Sequence, residues 1–355
     1  MRAIQLIIAI LLFPLTVWYA VGVALRNCYF DSHVPKSSSH DSGPKTIGVG
    51  NLRIGGTGKT PHTEYLISLI IKSTLDIAFL SRGYGRKTKG FVLAGTAGSD
   101  AQESRRIGDE PAMIARKFPD ITVAVSENRV EGLRRLSLLP SPPEIVLLDD
   151  IYQHRRVRPD ILILLTEYRD PYFLDHILPF GNLREFRSGS RRADIVVVTK
   201  CPPSLSKRRR DEYREKLRLQ PNQKLFFSQI EYLSPKPLFP DSQQSELDIY
   251  NCRDLLLVTG IAHPEPLKHH LEKRCTVKHL RFPDHHRFTE SDCRQIAHAF
   301  QAIKSQSKAI VTTEKDAMRL QNLSLPDIQS VVYYIPISVT FLEGDTFDKA
   351  VTAML

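Results

Sequence analysis

The feature that most constrains this chain is the run T-I-G-V-G-N-L-R-I-G-G-T-G-K-T-P at residues 46–61. A short β-rich apolar stretch enters a glycine-rich turn, and a helix-like segment leaves it. Glycines at 55, 56 and 58 let the backbone aim successive N–H groups at one point, and a helix N-terminus adds the positive end of its dipole. Gly55, Gly56, Thr57, Gly58, Lys59 and Thr60 therefore read as a phosphate-binding loop. Lys59 would reach the β- and γ-phosphates and the Thr60 hydroxyl would ligate Mg²⁺, so ATP and Mg²⁺ are the expected cofactors. One departure stands out: the usual G-x-x-x-x-G-K-[ST] spacing puts a glycine at position 53, and this chain has Arg53. The competing reading is a glycine-rich strand-to-helix turn with an exposed lysine.

Around that loop the sequence alternates short apolar runs with longer helix-like stretches. The runs at 46–50, 77–80, 91–94, 121–125, 145–148, 161–165 and 195–198 are continuously apolar, which argues for strands covered on both faces by crossover helices. The predicted fold class is α/β, a P-loop, doubly wound, mostly parallel sheet. A proline-rich and polar break at 228–246 is followed by runs at 255–258, 277–282, 309–313 and 331–335, which predict a second, smaller α/β domain. At 355 residues the chain exceeds what a single hydrophobic core usually supports. The expected division is a membrane-associated helix at 1–27, a polar connector at 28–44, a nucleotide-binding kinase domain at 45–228 and the smaller domain at 229–355.

Residues 3–25 carry no charged side chain, and about 20 apolar residues suffice to span a bilayer. Trp18 and Tyr19 are rings of the kind that settle at headgroup level. A cleaved signal peptide is the competing reading, but no small-x-small site leads out of the apolar run. Retained attachment fits better, because the nucleotide loop belongs where ATP is. The five cysteines, Cys28, Cys201, Cys252, Cys275 and Cys293, form no C-x-x-C pair and suit a reducing compartment. The formal charge of +10 is scattered and lacks interleaved aromatic platforms, so no nucleic-acid partner is expected. An anionic membrane surface and a phosphorylated substrate account for the same surplus.

Several further runs carry candidate chemistry. E-I-V-L-L-D-D ends an apolar strand in Asp149 and Asp150, where a Mg²⁺-binding carboxylate of a P-loop enzyme is expected; a solvated loop is the alternative. G-D-E-P at 108–111 puts Asp109 at the start of a helix, which capping alone explains. F-P-D-H-H at 282–286 offers Asp284, His285 and His286 for general acid–base chemistry, for a crowded zinc site, or as a plain surface loop. In L-P-F-G-N-L-R-E, Arg184 and, just beyond it, Arg187 are candidates for clamping a substrate phosphate. V-V-V-T-K at 196–200 has Pro202 where a guanine-reading aspartate would stand, so guanine specificity is discounted.

Taken together, VGNLRIGGTGKTP (49–61), LSRGYGRK (80–87), GDEP (108–111), LLDDIYQH (147–154), LPFGNLRE (178–185), TGIAHPEP (259–266), FPDHHRF (282–288) and TTEKDAMRL (312–320) resemble the tetraacyldisaccharide 4'-kinase family of lipid A biosynthesis. The resemblance implies transfer of the ATP γ-phosphate to the 4'-hydroxyl of tetraacyldisaccharide 1-phosphate, at the cytoplasmic face of the inner membrane of a Gram-negative-type bacterium. It puts the family's catalytic Asp–His dyad on Asp109 and His285, one from each domain, which predicts domain closure and overrides the capping reading of Asp109. It also puts the metal and phosphate environment on Asp149, Asp150 and Glu185, beside Lys59 and Thr60. Ile151 stands where the family often has glycine. The rival from another class is a membrane-tethered P-loop ATPase switch, and a metal hydrolase built on residues 284–286 is a more distant one.

Overall fold

The structure is a computed structural model that describes residues 2–33, 43–73, 75–95, 100–239, 252–284, 286–321, 323 and 328–355. The chain forms two compact units. Met1–Thr96, Ser104–Ile230 and Val339–Leu355 make the first; Ala97–Glu103 and Glu231–Ser338 make the second. The smaller unit, expected to reach the C-terminus, ends at Ser338. Val339–Leu355 instead belongs to the first unit, because Phe341, Phe347 and Val351 join the apolar cluster that also holds Phe226 and Ile67.

The first unit is built on a nine-stranded sheet. Its central strands are β1 (Lys45–Asn51), β2 (Ile77–Ser81), β4 (Thr122–Val125), β5 (Ile145–Asp149), β6 (Ile161–Glu167), β7 (Ile195–Thr199) and β8 (Lys224–Tyr232). The short β3 (Val92–Leu93) and the late β14 (Ile337–Phe341) form its two edges, in the order β14-β8-β7-β6-β1-β5-β2-β4-β3. All pairings from β8 through β4 are parallel, and β3 runs antiparallel to β4. The continuous apolar runs follow from this: every residue of β5 and β7 is buried, with alternate side chains feeding different cores. Ile47, Leu147, Ile163 and Val197 enter one core with Leu66, Ile67 and Ile70 of helix α2 (Lys59–Ile71). Leu148, Leu164 and Val196 enter the other, with Leu136 and Leu217.

Close approach explains the glycines of β1. A Cβ on Gly48 would lie 2.6 Å from Ile151, and one on Gly50 would lie 2.7 Å from the Tyr152 Cβ. The two glycines thus make room for the residues that follow the aspartate pair. Ile151 is a buried wedge over Gly48.

The second unit holds a five-stranded sheet ordered β11-β10-β12-β13-β9. The strands β10 (Asp254–Thr259), β11 (Thr276–Arg281), β12 (Lys308–Thr313) and β13 (Val332–Ile335) are parallel, and β9 (Lys236–Pro237) is antiparallel at one edge. The N-terminal helix α1 spans Arg2–His33. Among the described residues no helix is long and apolar enough to cross a membrane.

Gly50→Ala should cost about 1–3 kcal/mol of stability through overpacking against Tyr152. A lowered urea midpoint with an unchanged m-value would register it; an unchanged midpoint would contradict the close packing of β1.

Candidate active site

The glycine-rich loop leaves the C-terminal end of β1, between β5 and β6 in the sheet. That is the crevice where ligands of open parallel sheets bind. Gly55 and Gly58 adopt φ values of 116° and 88°, conformations that side-chain-bearing residues rarely adopt. Gly58 is the N-cap of α2 and offers no side-chain cap of its own, so the first turn of α2 presents its N–H groups to the loop.

Side chains brace the loop from below. The Thr199 hydroxyl, at the end of β7, donates to the Thr57 carbonyl at 2.8 Å. His62, one turn into α2, holds the Gly58 carbonyl at 2.7 Å through Nδ1 and meets the Ser228 hydroxyl at 2.8 Å through Nε2. A carbonyl only accepts, so Nδ1 carries the proton and Nε2 accepts from Ser228. Burial, with the nearby charge of Lys200 adding to it, pulls His62 down to about 4 against the bond to Gly58. The brace therefore works as a neutral imidazole.

Arg53 has a visible structural reason. Its Nε donates to Asp175 at 2.6 Å and its Nη1 to the Asp170 carbonyl at 2.6 Å. Asp175 in turn accepts from the N–H groups of His176 and Asn182. Beside it, Ile54 N–H donates to the Asn182 carbonyl and Arg184 N–H to the Leu52 carbonyl, both at 2.8 Å. The L-P-F-G-N-L-R-E run is thereby strapped along the entrance of the phosphate loop, and Arg53 fastens a first turn that glycine would otherwise shape.

The strand-end aspartates have opposite electrostatics. Asp149 is 6 % exposed, and burial, reinforced by Glu110 and Asp150, pushes it up to about 7. One of its oxygens accepts from Ser81 at 3.3 Å; the other has no hydrogen-bond partner among the described residues. Asp150 adopts φ 44° and so turns out of the strand, which resolves how two adjacent aspartates divide their roles. It lies 3.6 Å from Lys59 and accepts from Arg184 at 3.1 Å through both oxygens. Burial alone would raise it, but Lys59 and Arg184 outweigh burial and hold it below the usual carboxylate range.

Glu185 is fully buried and takes a two-pronged pair from Arg192, at 2.8 and 3.0 Å. Gln153 donates to it at 3.2 Å and accepts from Arg184 at 3.0 Å. Both carboxylate oxygens of Glu185 are thus engaged, and the residue holds the aspartate region in place from behind. Arg129, which no motif singles out, lies beneath the site: 2 % exposed, it donates to the Ser126 and Asp149 carbonyls. Burial pulls it down to about 10 against the attraction of Asp149 and Asp150. Its only sequence signal was an arginine opening a helix after S-E-N, a pattern that surface helices share.

Asp109 is the exposed first residue of helix α4 (Asp109–Lys117), after Gly108 at φ 99°. A Cβ on Gly108 would come within 2.9 Å of the Tyr84 carbonyl, so the G-D-E-P and R-G-Y-G runs are packed together. In the second unit, Gly260 sits against Asp316, His286 and the Pro283 carbonyl, which gathers the three C-terminal motifs at the ends of β10 and β12. His286 is engaged with Asp292 at 3.0 Å and stacked on Phe282. His285 lies outside the described residues.

The comparison with known proteins decides the family. The model of the family "Tetraacyldisaccharide-1-P 4'-kinase" matches residues 8–355. The chain belongs to this family. A tetraacyldisaccharide 4'-kinase of Flavobacterium johnsoniae is 43% identical, over 96% of this chain and 95% of the relative. One of Bacteroides fragilis is 44% identical, over 95% of this chain and 91% of the relative. The crystal structure of "apo" form LpxK from Aquifex aeolicus in complex with ATP superposes with a TM-score of 0.70 at 26% identity, covering 97% of this chain and 98% of that one. Family membership and fold therefore agree over both units.

The His62 brace sets a pH dependence. Below the ordinary value of 6.5 the unfolded chain takes up a proton that the native imidazole refuses down to about 4. Stability should fall as pH drops through that interval, by about 3 kcal/mol in all, and the contribution should be level above it. In urea denaturation at several pH values, His62→Gln should flatten this slope; an undiminished slope would remove His62 as its source.

Proposed function

We propose that this chain transfers the γ-phosphate of ATP to the 4'-hydroxyl of tetraacyldisaccharide 1-phosphate, working at the cytoplasmic face of the inner membrane. It is an ATP-dependent kinase of lipid A biosynthesis, as its family membership over residues 8–355 states. The observation that carries the reading at the level of the site is the convergence of Lys59, Asp149, Asp150 and Arg184 on the mouth of the glycine-rich loop.

Gly55, Gly56, Thr57 and Gly58 cradle the phosphates with backbone N–H groups, and Lys59 and Arg184 supply positive charge where negative charge builds on the transferred group. The donor set suits Mg²⁺, a hard cation that keeps several waters and takes one or two protein carboxylates. The Thr60 hydroxyl and the unpartnered oxygen of Asp149 would hold it, and its chemistry is to neutralise phosphate charge. Asp150 keeps Lys59 and Arg184 aimed at the loop. Glu185 supports that arrangement through Gln153 and Arg192. Asp109 and His285, onto which the family's acid–base residues fall, are the groups proposed to take the proton of the attacking hydroxyl.

Membrane attachment is supported by α1. Its described outward side chains include Phe13, Trp18, Val21, Leu25 and Tyr29, from 46 to 77 % exposed. An apolar face of that kind, with Trp and Tyr on it, lies well in a lipid interface, where the acyl chains of the acceptor also reside.

With γ-labelled ATP, label should appear on the disaccharide acceptor, and Lys59→Ala, Asp109→Ala and His285→Ala should each lower turnover by roughly 10²-fold or more. Full ATP hydrolysis without acceptor, and no labelled lipid, would instead identify a P-loop switch.

A further inference from the structure

Helix α1 does more than face outward. Its inward stripe carries two polar fastenings to the first unit, and both end on segments that build the active site. The Tyr19 hydroxyl donates to the Arg184 carbonyl at 2.9 Å. Further along, Asp31 pairs with Arg155, just past the Asp149–Gln153 turn. Val23, between them on the same side, is 6 % exposed, while Thr16, Ala20 and Asn27 are half-buried at helical spacing.

Arg184 is the residue on which these connections meet. Its N–H donates to Leu52 in the entrance of the phosphate loop at 2.8 Å. Its carbonyl accepts from Tyr19. Its guanidinium grips both oxygens of Asp150 and the Gln153 side chain. The backbone of Arg184 is thus pinned from two sides, by the loop and by α1, while the side chain reaches the site. The ring of Tyr19 is still 36 % exposed, so burial of the ring does not by itself explain where its hydroxyl points.

We infer that Tyr19 is a positioning residue for the phosphoryl transfer, and that α1 is a working wall of the active site through its bond to Arg184 as well as a membrane-facing element. The hydroxyl limits how far the Arg184 backbone swings, and so keeps the guanidinium against Asp150 when the transferred group carries most charge. A misplacement of the order of an ångström at such a group is enough to slow the chemical step. Trp18, Val21 and Leu25 are exposed and, at helical spacing, turned away from the Thr16–Val23–Asn27 stripe, so binding to lipid and positioning of Arg184 are separable by mutation.

The inference rests on the kinase reading above, and wild-type turnover in the same assay checks that reading on its own. Full-length protein would be assayed on vesicles of phosphatidylethanolamine and phosphatidylglycerol containing the disaccharide 1-phosphate acceptor. Tyr19→Phe keeps the ring and removes only the hydroxyl. It should lower kcat by on the order of threefold to tenfold, the worth of one hydrogen bond, with the KM for ATP unchanged. In an Arg184→Gln background the same substitution should cost nothing further, because its effect runs through Arg184. Trp18→Ala, on the outward face, should weaken partition onto vesicles yet keep kcat at saturating vesicle concentration. An unchanged kcat for Tyr19→Phe, an equal loss in both backgrounds, or a matching loss of saturated kcat in Trp18→Ala would each overturn the inference.

Discussion

The close contact between β1 and the turn after Asp150 is the constraint on which the rest of the site depends. Two glycines, Gly48 and Gly50, let Ile151 and Tyr152 press directly onto the backbone of the strand that feeds the phosphate loop. From Tyr152 the arrangement propagates outward. Its hydroxyl donates to the Gly189 carbonyl at 2.8 Å, and Arg192 lies over its ring, 4.7 Å from the centroid. Arg192 fixes Glu185, and Glu185 is the neighbour of Arg184. A single packing contact beneath the sheet's C-terminal edge therefore sets where a charged group stands above it, as expected of interiors packed too tightly to deform smoothly.

The parts of the fold that could be read in the sequence are those with a local physical signature. Short, β-branched apolar runs such as I-V-V-V at 195–198 favour strands covered on both faces, and a glycine-rich turn between strand and helix favours a phosphate loop. The α/β class, the parallel sheet and the nucleotide loop followed directly. What the sequence hid was long-range. The return of Val339–Leu355 to the first unit depends on Phe341 and Phe347 stacking, with ring centroids 3.8 Å apart, in a core assembled from residues more than a hundred positions away. Nothing in the tail itself signals that destination.

The site divides along the same line. Lys59, Thr60 and the aspartate pair announce themselves by type and spacing, whereas the division of labour between Asp149 and Asp150 does not, because it depends on the left-handed backbone at Asp150. Glu185 was legible as a conspicuous acid in a motif, but its engagement with Arg192 needed a fold in which the two come together. Arg129 was invisible, since only burial separates a guanidinium beneath an active site from one on a surface helix. His62 was likewise hidden, because its partner Ser228 lies 166 residues away.

Arg53 leaves a different kind of mark. It stands where related loops can use a residue with no charge, and it meets Asp175 with both side chains largely withdrawn from water, at 15 and 14 % exposure. A withdrawn charge that loses its partner is costly, whereas losing both together costs far less. Positions 53 and 175 are thus linked in energy. Without Arg53 the Asp175 carboxylate would keep only the N–H groups of His176 and Asn182, so the strap at the entrance of the loop tolerates the loss of both charges better than the loss of one.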